Sequence, residues 1–246
     1  MKRFLIFLKN ELRLSLRDMN MPIFAVIMPL VIFVILGMIY GAKPAFDGAE
    51  YTFLESCFGA AAAVAICAGG LMGLPMAVAD ARERKLLKRF RVTPVGPAFI
   101  LGVELAMYAV YCAASLLTLA LPALLWHVRL RGSASAFLGS WLLTMLSTLS
   151  VGMLVGGIAK NGRQASVIAS ILYFPMLIFS GTTLPLEVMS AFLRKIVSLF
   201  PLTQGVTLMK NAFVGIRAAS ALTPVATMLA ATTLCTILSV RFFRWE

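Results

Sequence analysis

Residues Pro22–Gly41 read PIFAVIMPLVIFVILGMIYG, without one charged side chain. As a helix rising 1.5 Å per residue, the stretch covers about 30 Å, the hydrocarbon thickness of a bilayer. In lipid the backbone must satisfy its own polar groups, so the reading is a transmembrane helix. Five more apolar runs follow, at about 56–79, 98–126, 136–159, 165–184 and 221–240. Of the 246 residues 61% are hydrophobic and 13% charged, and mean hydropathy is +0.93. A soluble domain is nearer half apolar and a quarter charged. The fold class is all-α integral membrane, one domain over 1–246 with six transmembrane helices.

Residues 1–20 precede the first span. Within them Phe4, Leu8, Leu12 and Leu16 recur every fourth position, while Lys9, Arg13 and Arg17 mark another face. This pattern predicts an amphipathic helix at the membrane interface. It is too long for the n-region of a signal peptide. Near the other end, 185–220 is half polar. Residues 186–199 have helical spacing, but Arg194 and Lys195 forbid a crossing, so short external or re-entrant helices are expected before the last span.

The formal charge is +12, which on a soluble chain would suggest nucleic acid. Here the basic residues flank the apolar runs, as topology and anionic lipid require. With a cytoplasmic N-terminus, five of them fall in 2–18, six in 80–94, two at Lys160 and Arg163, and two at Arg241 and Arg244. Seven of the 22 are left outside. This asymmetry puts both termini in the cytoplasm of a multi-pass protein of the inner or plasma membrane.

Several chemistries are missing. No phosphate-cradling G-x-x-x-x-G-K-[ST] and no G-x-S-x-G elbow occurs. His127 is the single histidine and sits beside Arg129. Cys57, Cys67, Cys112 and Cys235 have no C-x-x-C spacing and read as small packing residues, not a metal site. The expectation is a chain with no enzymatic activity and no bound cofactor or metal. Glu104 is the clearest carboxylate in a span. It reads either as the partner of a loop arginine or hydroxyl, or as thin support for ion coupling. Gly69/Gly73 and Gly152/Gly156 are four apart and suit close helix packing.

The charged loop 80–94 holds Arg82, Arg84, Lys85, Lys88, Arg89 and Arg91 beside Asp80 and Glu83. Leu86, Leu87 and Phe90 give it an apolar stripe. On these residues alone it is either a helix that inserts apolar knobs into a partner's groove or a topogenic loop on anionic lipid. RER at 82–84 with LKRFRVTP at 87–94 resembles the cytoplasmic loop of the type-2 ATP-binding-cassette (ABC-2) permeases. SGTTLPLEVMSAFLRKIVSLFPLTQGVTLMK at 180–210 is similar to that family's segment after the fifth span, through Ser180, Gly181, Pro185, Leu186, Pro201, Leu202 and Thr203.

The resemblance implies a cytoplasmic coupling helix over 80–94 docking on a separate ABC ATPase subunit, with contacts from Arg82, Glu83, Arg84, Leu87, Arg89, Phe90, Thr93 and Pro94. ATP and Mg would be held by that partner. It implies a second permease copy, as a homodimer or a close paralogue, and an export path between the copies. Phe24, Met28, Met72, Phe174, Met176 and Phe179 would line that path. Amphipathic cargo, a drug, antibiotic or lipid-like molecule, suits such a lining. The alternatives are a self-contained secondary transporter and a membrane assembly or immunity protein.

Overall fold

The computed structural model describes residues 2–46, 48–83, 97–180, 189–216 and 222–242. Six helices among them are long and apolar enough to cross a membrane: Ile23–Tyr40, Phe53–Glu83, Leu101–Leu125, Ala134–Ile158, Gly162–Phe179 and Leu222–Phe242. In chain order the elements are α1 (Lys2–Asp18), α2 (20–40), α3 (Phe53–Glu83), α4 (Pro97–Leu125), α5 (Ala134–Ile158), α6 (Gly162–Phe179), α7 (Ala191–Val197), α8 (Pro201–Val214) and α9 (Leu222–Phe242).

The second span, α3, is the axis of the bundle. It packs against α2, α4, α5, α6 and α8 and is buried on nearly every side. Its small residues Ala60–Ala63, Ala65 and Ala68 let all these neighbours approach. By contrast α9 leans on α5 and α8 and exposes Leu229, Leu234, Ile237 and Val240. In α2 the buried residues Ala25, Pro29, Phe33 and Gly37 recur every fourth position, one stripe of an otherwise exposed helix.

α3 and α5 run side by side in the same direction. Phe58 meets Phe137 at 5.8 Å near one end, and Val78 and Pro75 meet Gly156 near the other. Between these points the backbones touch, because a side chain at Gly152 would fall 1.8 Å from the carbonyl oxygen of Gly70. The paired glycines therefore serve packing within one chain, with Gly70 as the partner.

Both α2 and α3 widen into a π-helical turn, over Ile23–Ile27 and Ala68–Gly73. Each lies just before a proline. Met28 N–H reaches back to Ile23 O ahead of Pro29, and Leu74 N–H to Gly69 O ahead of Pro75. A proline lacks the N–H and its ring crowds the carbonyl four residues earlier, which a wider turn relieves. The two wide turns are in contact, and Met21 Sδ and the Tyr108 ring close over Gly73.

Two expectations need amending. Residues 80–83 do not begin a separate coupling helix; they are the last turn of α3, and 84–94 lie outside the described residues. The fifth span stops at Phe179, short of 184. Among the described residues of 185–220 the helices are α7 and the longer α8, which packs against both α3 and α5. Phe213 of α8 stacks on Phe58 at 4.7 Å, while Gly205 lies against Thr144, about 15 Å along α5 from Ala134. α8 thus enters the bundle without crossing it. α1 packs parallel to the first half of α4: Phe4 and Phe7 present edges to the Phe99 ring at 5.6 and 5.5 Å, and Tyr111 donates to Ser15 Oγ at 2.9 Å.

Candidate functional site

At one end of the bundle the last turn of α3 grips the connection between α5 and α6. Arg82 is only 6% exposed. Its guanidinium donates to Gly157 O at 3.1 Å and to Ala159 O, carbonyls at the C-terminus of α5 that no further turn satisfies. Glu83 accepts from Gly162 N–H at 3.2 Å, at the opening of α6. A methyl group on Gly162 would lie 2.2 Å from Asp80 Oδ1. A cation thus sits at a helix C-terminus and two carboxylates at a helix N-terminus, both favoured by the helix dipole. Ala79, Ala159 and Ala165 close the joint as a fully buried cluster. Within the turn, Asn161 Oδ1 accepts from Gln164 N–H and Gln164 Oε1 from Lys160 N–H, each at 2.8 Å.

The opposite end carries a second anchored charge. Glu55 is 1% exposed. Its carboxylate accepts from Thr52 N–H at 2.8 Å, from Arg131 Nε at 2.9 Å and from Arg129 N–H at 3.2 Å. Thr52 returns the favour by accepting from Glu55 N–H, a capping box that starts α3. Arg131 and Gly132 N–H both donate to Phe213 O at 3.0 Å, so the same corner holds the end of α8.

Of the eight expected coupling residues, Arg82 and Glu83 are described and face the α5–α6 turn. Arg84, Leu87, Arg89, Phe90, Thr93 and Pro94 lie outside the described residues. Of the six expected path residues, Phe24, Met28 and Phe174 are exposed, at 52, 47 and 54%. Met72 and Phe179 are half-buried, and Met176 is 4% exposed, inside the core. The wide turn of α3 that carries Met72 touches both α2 and α6, the helices that hold the other path residues. Sequence reasoning passed over Glu55, although T-F-L-E at 52–55 ahead of an apolar run is a capping-box signature. It also passed over Arg131, Gly70 and the use of Asp80.

Glu104 is on α4 with its Oε2 buried and without a hydrogen-bond partner among the described residues. Glu11 of α1 is close enough to repel it. Partial burial alone pushes the Glu11 carboxyl above its ordinary range.

Residues 2–214 match the ABC-2 type transporter family, most of the chain and every element from α1 to α8. The chain belongs to the ABC-2 type transporter family. No curated protein matches it. As an ABC-2 member it is a multi-pass integral membrane protein and a transporter permease subunit, of a family whose permeases generally work with ABC ATPase partners. Both signatures that carried the resemblance, 82–94 and 180–210, fall inside the matched residues.

Proposed function

We propose that this ABC-2 permease is the membrane half of an exporter that moves an amphipathic drug, antibiotic or lipid-like molecule, driven by ATP hydrolysis on a separate ABC ATPase subunit. The observation that carries the reading is the family match over residues 2–214. The permease itself contributes no catalytic group and no cofactor; ATP and Mg belong to the partner. Within segment 80–94, the residues after Glu83, with their apolar stripe ringed by charge, are the docking element. Both termini face the cytoplasm of the inner or plasma membrane, in keeping with the 15 of 22 basic residues on that side.

Two permease copies, identical or paralogous, would enclose the path. The exposed Phe24, Met28 and Phe174 support this, because these large apolar side chains face away from the single-chain bundle. ATP binding to the partner would shift the pair between inward- and outward-open states through its differential affinity for the two.

The test is co-purification of the ATPase encoded beside the permease, in detergent, with wild type and with a Leu87→Asp, Phe90→Asp variant that elutes as a folded species. Retention by the wild type and loss from the variant supports the reading. An ATPase that binds neither, or both equally, leaves 80–94 as a lipid-facing topogenic loop and overturns it. The buried Glu104 Oε2 favours a second reading, a self-contained secondary transporter, which requires transport without any ATPase.

A further inference from the structure

The expected role of Arg82 and Glu83 was to face outward, onto an ATPase. Arg82 instead buries its guanidinium against the carbonyls of Gly157 and Ala159, and Glu83 takes the first N–H of α6. With Asp80 over Gly162, the last turn of the second span satisfies both ends of the α5–α6 connection. The alanine cluster leaves no room for sliding, since Ala79, Ala159 and Ala165 are each 0% exposed. Farther along the same helix, Gly70 and Gly152 touch backbone to backbone, so α3 and α5 cannot separate without breaking contacts along most of their length.

We propose that Asp80, Arg82 and Glu83 act inside the permease as a rigid joint. Through this joint the α5–α6 turn moves as one body with the end of the second span. A push delivered to the segment after Glu83 then reaches the fifth span directly, without travelling through the bundle core. The two faces of that coupling are chemically distinct: residues 80–83 hold the turn, and the residues beyond them meet the ATPase. The inference rests on the proposed function for the source of the push.

A disulfide tests the joint. In a permease with Cys57, Cys67, Cys112 and Cys235 replaced by alanine or serine, Ala79→Cys and Ala165→Cys are introduced together, and the complex with its ATPase is placed in lipid vesicles. Cross-linking is followed without nucleotide and with ATP plus vanadate, together with ATP hydrolysis before and after a reductant. A rigid joint forms the bond to the same extent in both states and keeps hydrolysis within about twofold of the reduced sample. Formation in one state only, or a fall of about tenfold or more that the reductant reverses, overturns the joint. Each single cysteine variant controls for damage by the substitution. If no ATPase binds the wild type, the proposed function fails and the transmission role fails with it, an outcome told apart by the absence of the complex itself.

Discussion

The carbonyl oxygen of Gly70 lies where the side chain of Gly152 would be, 1.8 Å from the position of a Cβ. Backbone stands on both sides of this contact, so no side chain can rotate away. Gly152→Ala must push α3 and α5 apart or distort one of them, at a cost of about 1–3 kcal/mol. The expected result is a clear drop in the temperature at which the detergent-solubilised protein loses its monodisperse peak. Gly139→Ala on the same helix, where nothing lies within 4 Å, should hold that temperature or raise it slightly, because alanine is the better helix former.

The corner at Glu55 predicts a graded series. Glu55→Ala strands the Arg131 guanidinium and the N–H groups of Thr52 and Arg129 at once. Water can take up the half-exposed guanidinium, so the cost lies in the backbone donors left unpaired and the lost capping box, about 1–3 kcal/mol. Arg131→Ala should cost less, because that side chain is 41% exposed and the two backbone donors still serve the carboxylate. Chemical unfolding of the two variants in matched micelles checks the order; equal midpoints would contradict it.

Met176 and Phe174 are two residues apart and face opposite environments. Met176→Ala opens a cavity in the core and should destabilise by about 2–5 kcal/mol. Phe174→Ala removes an exposed ring and should change stability by less than about 0.5 kcal/mol. Any effect of Phe174→Ala on cargo resistance or efflux would then be a property of the path. Expression-normalised efflux with heat-challenge chromatography separates the two.

Between α1 and α4, Glu11 sets a pH dependence whose sign is fixed. Its folded pKa is raised by burial, so the folded state holds the proton more tightly than the unfolded one. The contribution to α1 docking is full below about pH 4.5 and is lost as pH rises through the elevated value. Glu11→Gln should remove that loss and tighten α1 at neutral pH, seen as slower motion of a spin label at Lys9. Glu104→Gln should leave ATP-driven transport running; an ATP-independent activity abolished by Glu104→Gln would instead favour the secondary transporter.

The spans were legible because twenty apolar residues have few fates in a chain this hydrophobic, and the boundaries missed by only a few residues. The end of α3 was not legible. Arg82 and Glu83 read as part of a charged loop because their partners are main-chain groups near 157–162, and backbone donors and acceptors leave no mark in a sequence. Short external or re-entrant helices were expected in 185–220, but the bounds of α8 were not legible, since Thr203, Gln204, Thr207 and Lys210 interrupt the apolar face that is buried at Leu202, Val206 and Met209. The Glu55 corner was half legible: its capping box is local, but Arg131 lies 76 residues away. The wide turns before Pro29 and Pro75 show that a proline in a predicted span can be absorbed with the helix continuing.

The helices of this bundle are unequal in length. α3 has 31 residues and α6 has 18, about 46 and 27 Å at the rise of an α-helix. Against roughly 30 Å of hydrocarbon, the fully surrounded axis overshoots while a lipid-facing strut only just reaches across. Bilayer thickness therefore acts on this protein unevenly. A thicker membrane would strain α6 first and spare α3.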